Sequence, residues 1–165
     1  MMTTEQLKQH FHYAAWASAR LVEGAAALSA EELNRDFKTA DRSVLDTLVH
    51  VFAADRIWLA RVRGTPTSFV NPEDRHLSVL QNDWPGVYQG WQELLGAEND
   101  SSVGRIVPYQ DLKGNPYQTP LWQIVMHVVN HGTHHRGQVS GFVRSMGHVP
   151  APLDLIFYYR QSQST

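Results

Sequence analysis

Residues 121 to 146 read L-W-Q-I-V-M-H-V-V-N-H-G-T-H-H-R-G-Q-V-S-G-F-V-R-S-M, a long helical pattern that carries three histidines in register. On a helix His127, His131 and His135 fall at i, i+4 and i+8 along one slowly drifting stripe. Imidazole is neutral over much of the physiological range and is the commonest protein ligand for transition metals. Two histidines one turn apart can place their ring nitrogens on one ion. His127 and His135 lie near the limit of their joint reach, because the helical rise separates their Cα atoms by about 12 Å. The stripe therefore predicts a two-histidine claw that needs a third ligand from elsewhere in the chain, which obliges another element to pack alongside this helix.

His50 is the best candidate for that ligand. It sits in S-V-L-D-T-L-V-H-V-F-A-A-D-R-I-W-L-A-R, residues 43 to 61, a second strong helical pattern. Val44, Leu48, Val51, Phe52, Ile57, Trp58 and Leu59 supply its apolar face, with Asp46, Asp55, Arg56 and Arg61 as polar interruptions. A histidine among apolar residues must find a partner or cost stability. A metal is one such partner, and a neighbouring helix could supply another.

The 165 residues suffice for one ordinary domain with a substantial core, residues 1 to 165, and are too few to expect two. A hydrophobic share of 42% with 18% charged residues is globular. Net charge is −2 with histidines neutral, and no basic run is visible beyond the spaced Arg56, Arg61 and Arg63, so no nucleic-acid partner is expected. The chain contains no cysteine, which excludes disulfides, thiolate ligands and a cysteine nucleophile and leaves nitrogen and oxygen as metal donors. The N-terminal residues lack the apolar core of a signal peptide and no stretch is long enough to span a bilayer, so a soluble cytoplasmic protein without membrane partners is expected.

Helical periodicity runs from residue 4 to 28, with Thr3 or Thr4 as the cap, and Ser29-Ala30-Glu31-Glu32 resembles a capped short turn. Asn34 to Asp41 reads as a polar connector. Ser43 with Asp46 fits a capping box, and the helix it opens stops near Gly64. Residues 65 to 80 read as a loop, followed by a third helix from Asp83 or Pro85 to Ala97. Residues 101 to 119 suggest a short hairpin about Lys113-Gly114-Asn115. Pro120 opens the long histidine helix, which ends at Gly147, and the tail P-L-D-L-I-F-Y-Y-R predicts a short last helix. Gly132, Gly137 and Gly141 inside the long helix each cost about 1 kcal/mol against alanine, which suggests close approach of a neighbouring helix or a ligand. The reading is all-α: an antiparallel four-helix bundle with a β-hairpin insertion and a short C-terminal helix.

The phrase H-V-V-N-H-G-T-H-H-R-G-Q-V, residues 127 to 139, resembles the signature of the DinB-like superfamily, the DNA-damage-inducible and YfiT-type four-helix-bundle metalloproteins. The resemblance extends over nearly the whole chain. Phe11 to Leu21, with its Y-x-x-W-A-x-x-R-L core, the His50 helix and the R-G-Q segment follow in the family's order. It implies one metal ligand on the second helix and an H-x-x-x-H pair on the late one, here His50, His131 and His135, in agreement with the claw. Three neutral histidines leave coordination positions open. Zinc or nickel fits first, with iron or manganese also compatible, since nitrogen donors select poorly among them. The resemblance further implies chemistry, because some relatives are metal-dependent transferases or isomerases that use a low-molecular-weight thiol. A metal-dependent transferase acting on a small molecule with a thiol cosubstrate is the leading expectation; its rivals are a non-catalytic metal-binding stress-response protein and a metal-dependent hydrolase.

Other residues divide by position. His127, Arg136 and Gln138 are candidates to support the ligands or line the pocket; a packed or outer role is favoured for His127, and for Arg136 and Gln138 substrate contact, packing and dimer contact all stay open. His134, roughly 100° from His135 around the helix, should face a neighbour or solvent, and His10, His12, His76 and His148 read as surface residues. Asp46 is explained by its cap. The five tryptophans are mostly core by default, with one or two available to wall the metal cavity, and Tyr13 or Tyr109 would be useful acid–base groups if placed near a metal. A zincin needs H-E-x-x-H, but Gly132 follows His131. No Glu-x-x-His pair supports a di-iron bundle. A homodimer is compatible with such a bundle, although no exposed heptad seam specifies one.

Overall fold

Each of the first three helices starts at a hydroxyl that caps it. Thr3 opens α1 (Thr4–Ala25) through a reciprocal capping box with Gln6, and Ser29 opens α2 (Ala30–Asn34) the same way with Glu32. Ser43 opens α3 (Val44–Arg63) by accepting the Asp46 amide, and Gly64 closes it in the left-handed conformation at φ +68°. There follow α4 (Leu77–Gly96), strands β1 (Ile106–Gln110) and β2 (Pro116–Pro120), α5 (Leu121–Ser145) and α6 (Leu155–Ser162). The computed structural model describes residues 2–66 and 68–162. Thr67, within the loop expected from residue 65, lies outside them.

α1 packs against α4 and α5, and α3 packs against the same two helices, so that α1 and α3 face each other across the diagonal of a four-helix bundle. The stripes read from the sequence meet inside it: Leu7, Phe11 and Leu21 of α1, Leu48 and Phe52 of α3, and Leu121, Ile124 and Val128 of α5 are all buried. Aromatic edges interlock there, with Phe11 and Trp91 ring centroids 5.1 Å apart and Phe52 and Trp84 5.8 Å apart. Trp84 and Trp91 are core, as expected, whereas Trp16, Trp58 and Trp122 are only half-buried. Among the described residues no helix is long and apolar enough to cross a membrane.

Two expectations need correction. α4 begins at Leu77, inside the segment read as loop, and Pro85 lies within the helix rather than at its start. Leu80, Trp84, Tyr88, Trp91 and Leu95 form one buried stripe that runs straight past the proline. Pro85 and Gln81, whose carbonyl loses its helical partner, are both exposed, so water replaces the missing bond and burial of the stripe outweighs the kink cost. The long-helix glycines also differ from the reading: nothing lies within 4 Å of a Cβ built at Gly137 or Gly141, and at Gly132 the obstacle is the Arg136 side chain, not another helix.

The hairpin forms as expected, antiparallel, with Val107 opposite Thr119 and Tyr109 opposite Tyr117. Buried Val107 seats β1 against α3. The turn is held by Asp111, which accepts the amides of Lys113 and Asn115 at 2.8 and 2.9 Å, and by Gly114 at φ +85°.

Candidate metal centre

The contact between α3 and α5 brings His50, His131 and His135 together, with one nitrogen from each ring within 4.8 Å of the others. Ring centroids are 5.0 Å apart for His50 and His131 and 4.5 Å for both other pairs. The Nε2 atoms of His50 and His131 stand 3.0 Å apart. Two nitrogens each 2.0–2.1 Å from a tetrahedral zinc ion would be about 3.3 Å apart, so the rings are close to a chelating arrangement.

The far sides of two rings meet one carboxylate. His135 Nδ1 lies 2.6 Å from Gln138 Oε1 and 3.3 Å from Asp41 Oδ2. Both neighbours are acceptors, which assigns the ring proton to Nδ1 and leaves the Nε2 lone pair free. His50 Nδ1 lies 3.8 Å from the other Asp41 oxygen, Oδ1. Buried acceptors behind metal-binding imidazoles fix their tautomer and raise their basicity. His131 differs: its Nδ1 is buried without a hydrogen-bond partner. Burial, followed by the neighbouring imidazoles His135 and His50, pushes the His131 pKa down to about 3, and burial also lowers that of His135. Both rings are therefore neutral at physiological pH, the form that binds a metal.

Asp41 was not singled out in the sequence, where it ends a polar connector with no period to mark it. Its position depends on a compact turn. Phe37 N–H donates to the Arg42 carbonyl at 2.7 Å, Arg42 N–H to that of Thr39 at 3.1 Å, and Ser43 N–H to that of Asp41 at 2.7 Å. Lys38 and Arg42 adopt φ of 60° and 64°, a left-handed conformation uncommon for residues with a Cβ.

The remaining candidates separate clearly. Gln138 supports a ring of the cluster, as above. Arg136 is buried away from it, donating to Ser18 Oγ at 3.3 Å and Thr133 Oγ1 at 3.0 Å, with its guanidinium over the Tyr13 ring. It shares the core with Asp55, whose pKa burial raises to about 6 against the lowering effects of the Trp84 hydrogen bond and the Arg136 charge. Arg136 is thus packed within the bundle. His127 stays outside the group of three and lies edge-on to Trp58 at 5.1 Å. His134 is exposed, and His148 pairs at the surface with Glu32 at 2.7 Å. Asp46 accepts from the Ser43 hydroxyl and from Arg75, consistent with a capping role. The Tyr13 hydroxyl donates to the Leu153 carbonyl at 2.8 Å and so ties down the tail. Tyr109 packs on Trp58, with centroids 4.9 Å apart.

Two clefts flank the cluster. One, walled by Asp41, His50, Asn71 and Arg75, opens on the α3 side. The other, of about 320 Å³, lies between α3 and the hairpin turn and includes His131 in its wall. A separate apolar hollow of about 310 Å³ between α1 and α4 contains none of these histidines.

Comparison with known proteins agrees with this architecture. The chain is 21% identical over 157 residues to the Protein DinB of Bacillus subtilis (strain 168), covering 90% of each. Its fold matches the crystal structure of a DinB-like protein from Bacillus cereus ATCC 10987 with a TM-score of 0.65 and 20% identity, over 91% of this chain and 97% of that one. The model of the DinB family matches residues 1–164, and the chain therefore belongs to the DinB family.

Proposed function

We propose that this protein is a metal-dependent transferase that joins a low-molecular-weight thiol to a small electrophile, with His50, His131 and His135 as ligands of one divalent ion. The observation that carries this reading is the convergence of three imidazoles, with those of His131 and His135 neutral, beside a cavity whose described wall holds a single carboxylate, itself engaged by the hairpin turn. Asp41 lies behind the rings, against their Nδ1 atoms. Asp111, the one carboxylate among the described residues of the cavity wall, is held by the turn amides and by Asn115 Nδ2 at 2.8 Å. Water attack benefits from such a base, whereas a thiol needs only a cation nearby to ionise close to neutral pH. A bound zinc, nickel, iron or manganese ion would supply that positive charge. The protein's own part is to hold the three rings together, with His131 and His135 neutral, and to exclude water with Ile57, Trp58 and Phe69.

The test sets wild type beside His135→Ala. Expected are one equivalent of a first-row metal in wild type, its loss in the variant, and thiol-dependent consumption of an electrophile by wild type alone. Metal bound without turnover would favour a non-catalytic metal-binding protein; turnover without thiol would favour a hydrolase. Activity that survives without metal would sink the proposal.

A further inference from the structure

The cavity between α3 and the hairpin turn has a reactive end and a charged end. His131 lies in its wall, and so does Arg61, about three helical turns beyond His50 on α3. The Arg61 guanidinium lies against an edge-on aromatic pair, 4.5 Å from the Trp58 centroid and 5.4 Å from that of Tyr109. Such cation–π contacts restrain the guanidinium while leaving its N–H groups free. Among the described residues this guanidinium has no hydrogen bond or ion pair, in contrast to Arg56 on Asp74, Arg75 on Asp46 and Arg105 on Glu98. The nearby Asp111 carboxylate does not close on it, because both of its oxygens accept from the turn. Lys113 adds a second cation to the wall. The rest of the lining is largely apolar, and a volume of about 320 Å³ suits a molecule of a few carbon atoms.

A restrained, half-buried guanidinium with no hydrogen bond or ion pair among the described residues calls for a planar anion. We infer that the cavity is a subsite for a carboxylate-bearing small molecule, with Arg61 gripping the carboxylate while the reacting end lies at the histidine cluster. This inference rests on the proposed function for the role of that end, but not for the anion site itself. The carboxylate can belong to the thiol or to the electrophile, and the chemistry recognised is the same.

The experiment separates the two claims. Succinate, which has no thiol, is titrated into metal-free wild type and Arg61→Gln protein and followed by amide chemical shifts. Mercaptosuccinate and 2-mercaptoethanol are then titrated into the cobalt-loaded proteins, whose visible spectrum reports thiol ligation. Succinate is expected to shift amides of α3 and the hairpin turn in wild type, and to bind at least tenfold more weakly to Arg61→Gln. If the thiol carries the carboxylate, mercaptosuccinate binds at least tenfold more tightly than 2-mercaptoethanol. Arg61→Gln then loses that preference while keeping its metal and its affinity for 2-mercaptoethanol. Arg61→Lys, which keeps the charge without the fork, should retain part of it. If the two thiols bind alike while succinate binding depends on Arg61, the carboxylate belongs to the electrophile and the anion site is upheld. Absent succinate binding by wild type, or equal binding by wild type and Arg61→Gln, overturns the inference. Arg61-dependent succinate binding without thiol ligation to cobalt would leave the anion site standing and remove the thiol reading.

Discussion

Asp41 presents one oxygen to His135 Nδ1 and the other toward His50 Nδ1, so one side chain bears on rings from two helices. Asp41→Asn keeps the shape but removes the charge and one of the two acceptors. It should weaken metal binding about 10–100-fold, measured by competition with a chromogenic chelator, with little change in the helical spectrum. A second carboxylate, Asp55, acts in the core. Its folded pKa of about 6 stands above the usual 3.8, so the folded state holds the proton more tightly than the unfolded chain. This group's contribution is therefore present below about pH 4 and is lost as pH rises through about 6, an effect of about 3 kcal/mol. Urea melts of wild type and Asp55→Asn at pH 4 and pH 7 should show wild type losing ground to the variant by that order at the higher pH. The histidines of the cluster were legible because helical spacing marks them. Asp41 was not, because its placement depends on left-handed turns at Lys38 and Arg42, which leave no periodic trace.

Helix α5 keeps glycines that its own packing does not require. A Cβ at Gly137 or Gly141 would meet nothing within 4 Å, and both residues are exposed, whereas one at Gly132 would come within 2.6 Å of Arg136 Nη1. Gly137→Ala and Gly141→Ala should each stabilise the fold by up to about 1 kcal/mol, raising the melting temperature by about 2–4 °C in a calorimetric scan. Gly132→Ala should show no such gain, since Arg136 must move from its bond to Ser18 to admit the methyl group. The same balance of local and tertiary terms explains α4. A proline reads locally as a helix start, yet the stripe from Leu80 to Leu95 buries enough surface to carry the helix through it. The hairpin was easier to read, because turn residues and alternating β-formers agree there with the final contacts.

The three clustered histidines reside on α3 and α5, neighbours in the bundle that are far apart in the chain. An ion held by all three would cross-link those helices in the folded state alone. Metal at 100 times its dissociation constant should then stabilise the protein by about 2.7 kcal/mol, or roughly 5–10 °C in melting temperature, and a chelator should reverse the gain. The bundle itself was legible from four apolar stripes, with caps marking the starts of α1 and α3. The clefts were not, since they depend on how the hairpin and the loop after α3 close over the helices. One of those clefts gives the molecule a gauge of its own occupancy. Of the five tryptophans Trp58 is the one in its described wall; Trp84 and Trp91 are buried in the core, Trp16 lies against Tyr158, and half-buried Trp122 is outside that described wall. A guest that enters beside His131 changes the polarity around a single emitter, so filling of the site is written into the protein's own fluorescence without any added dye.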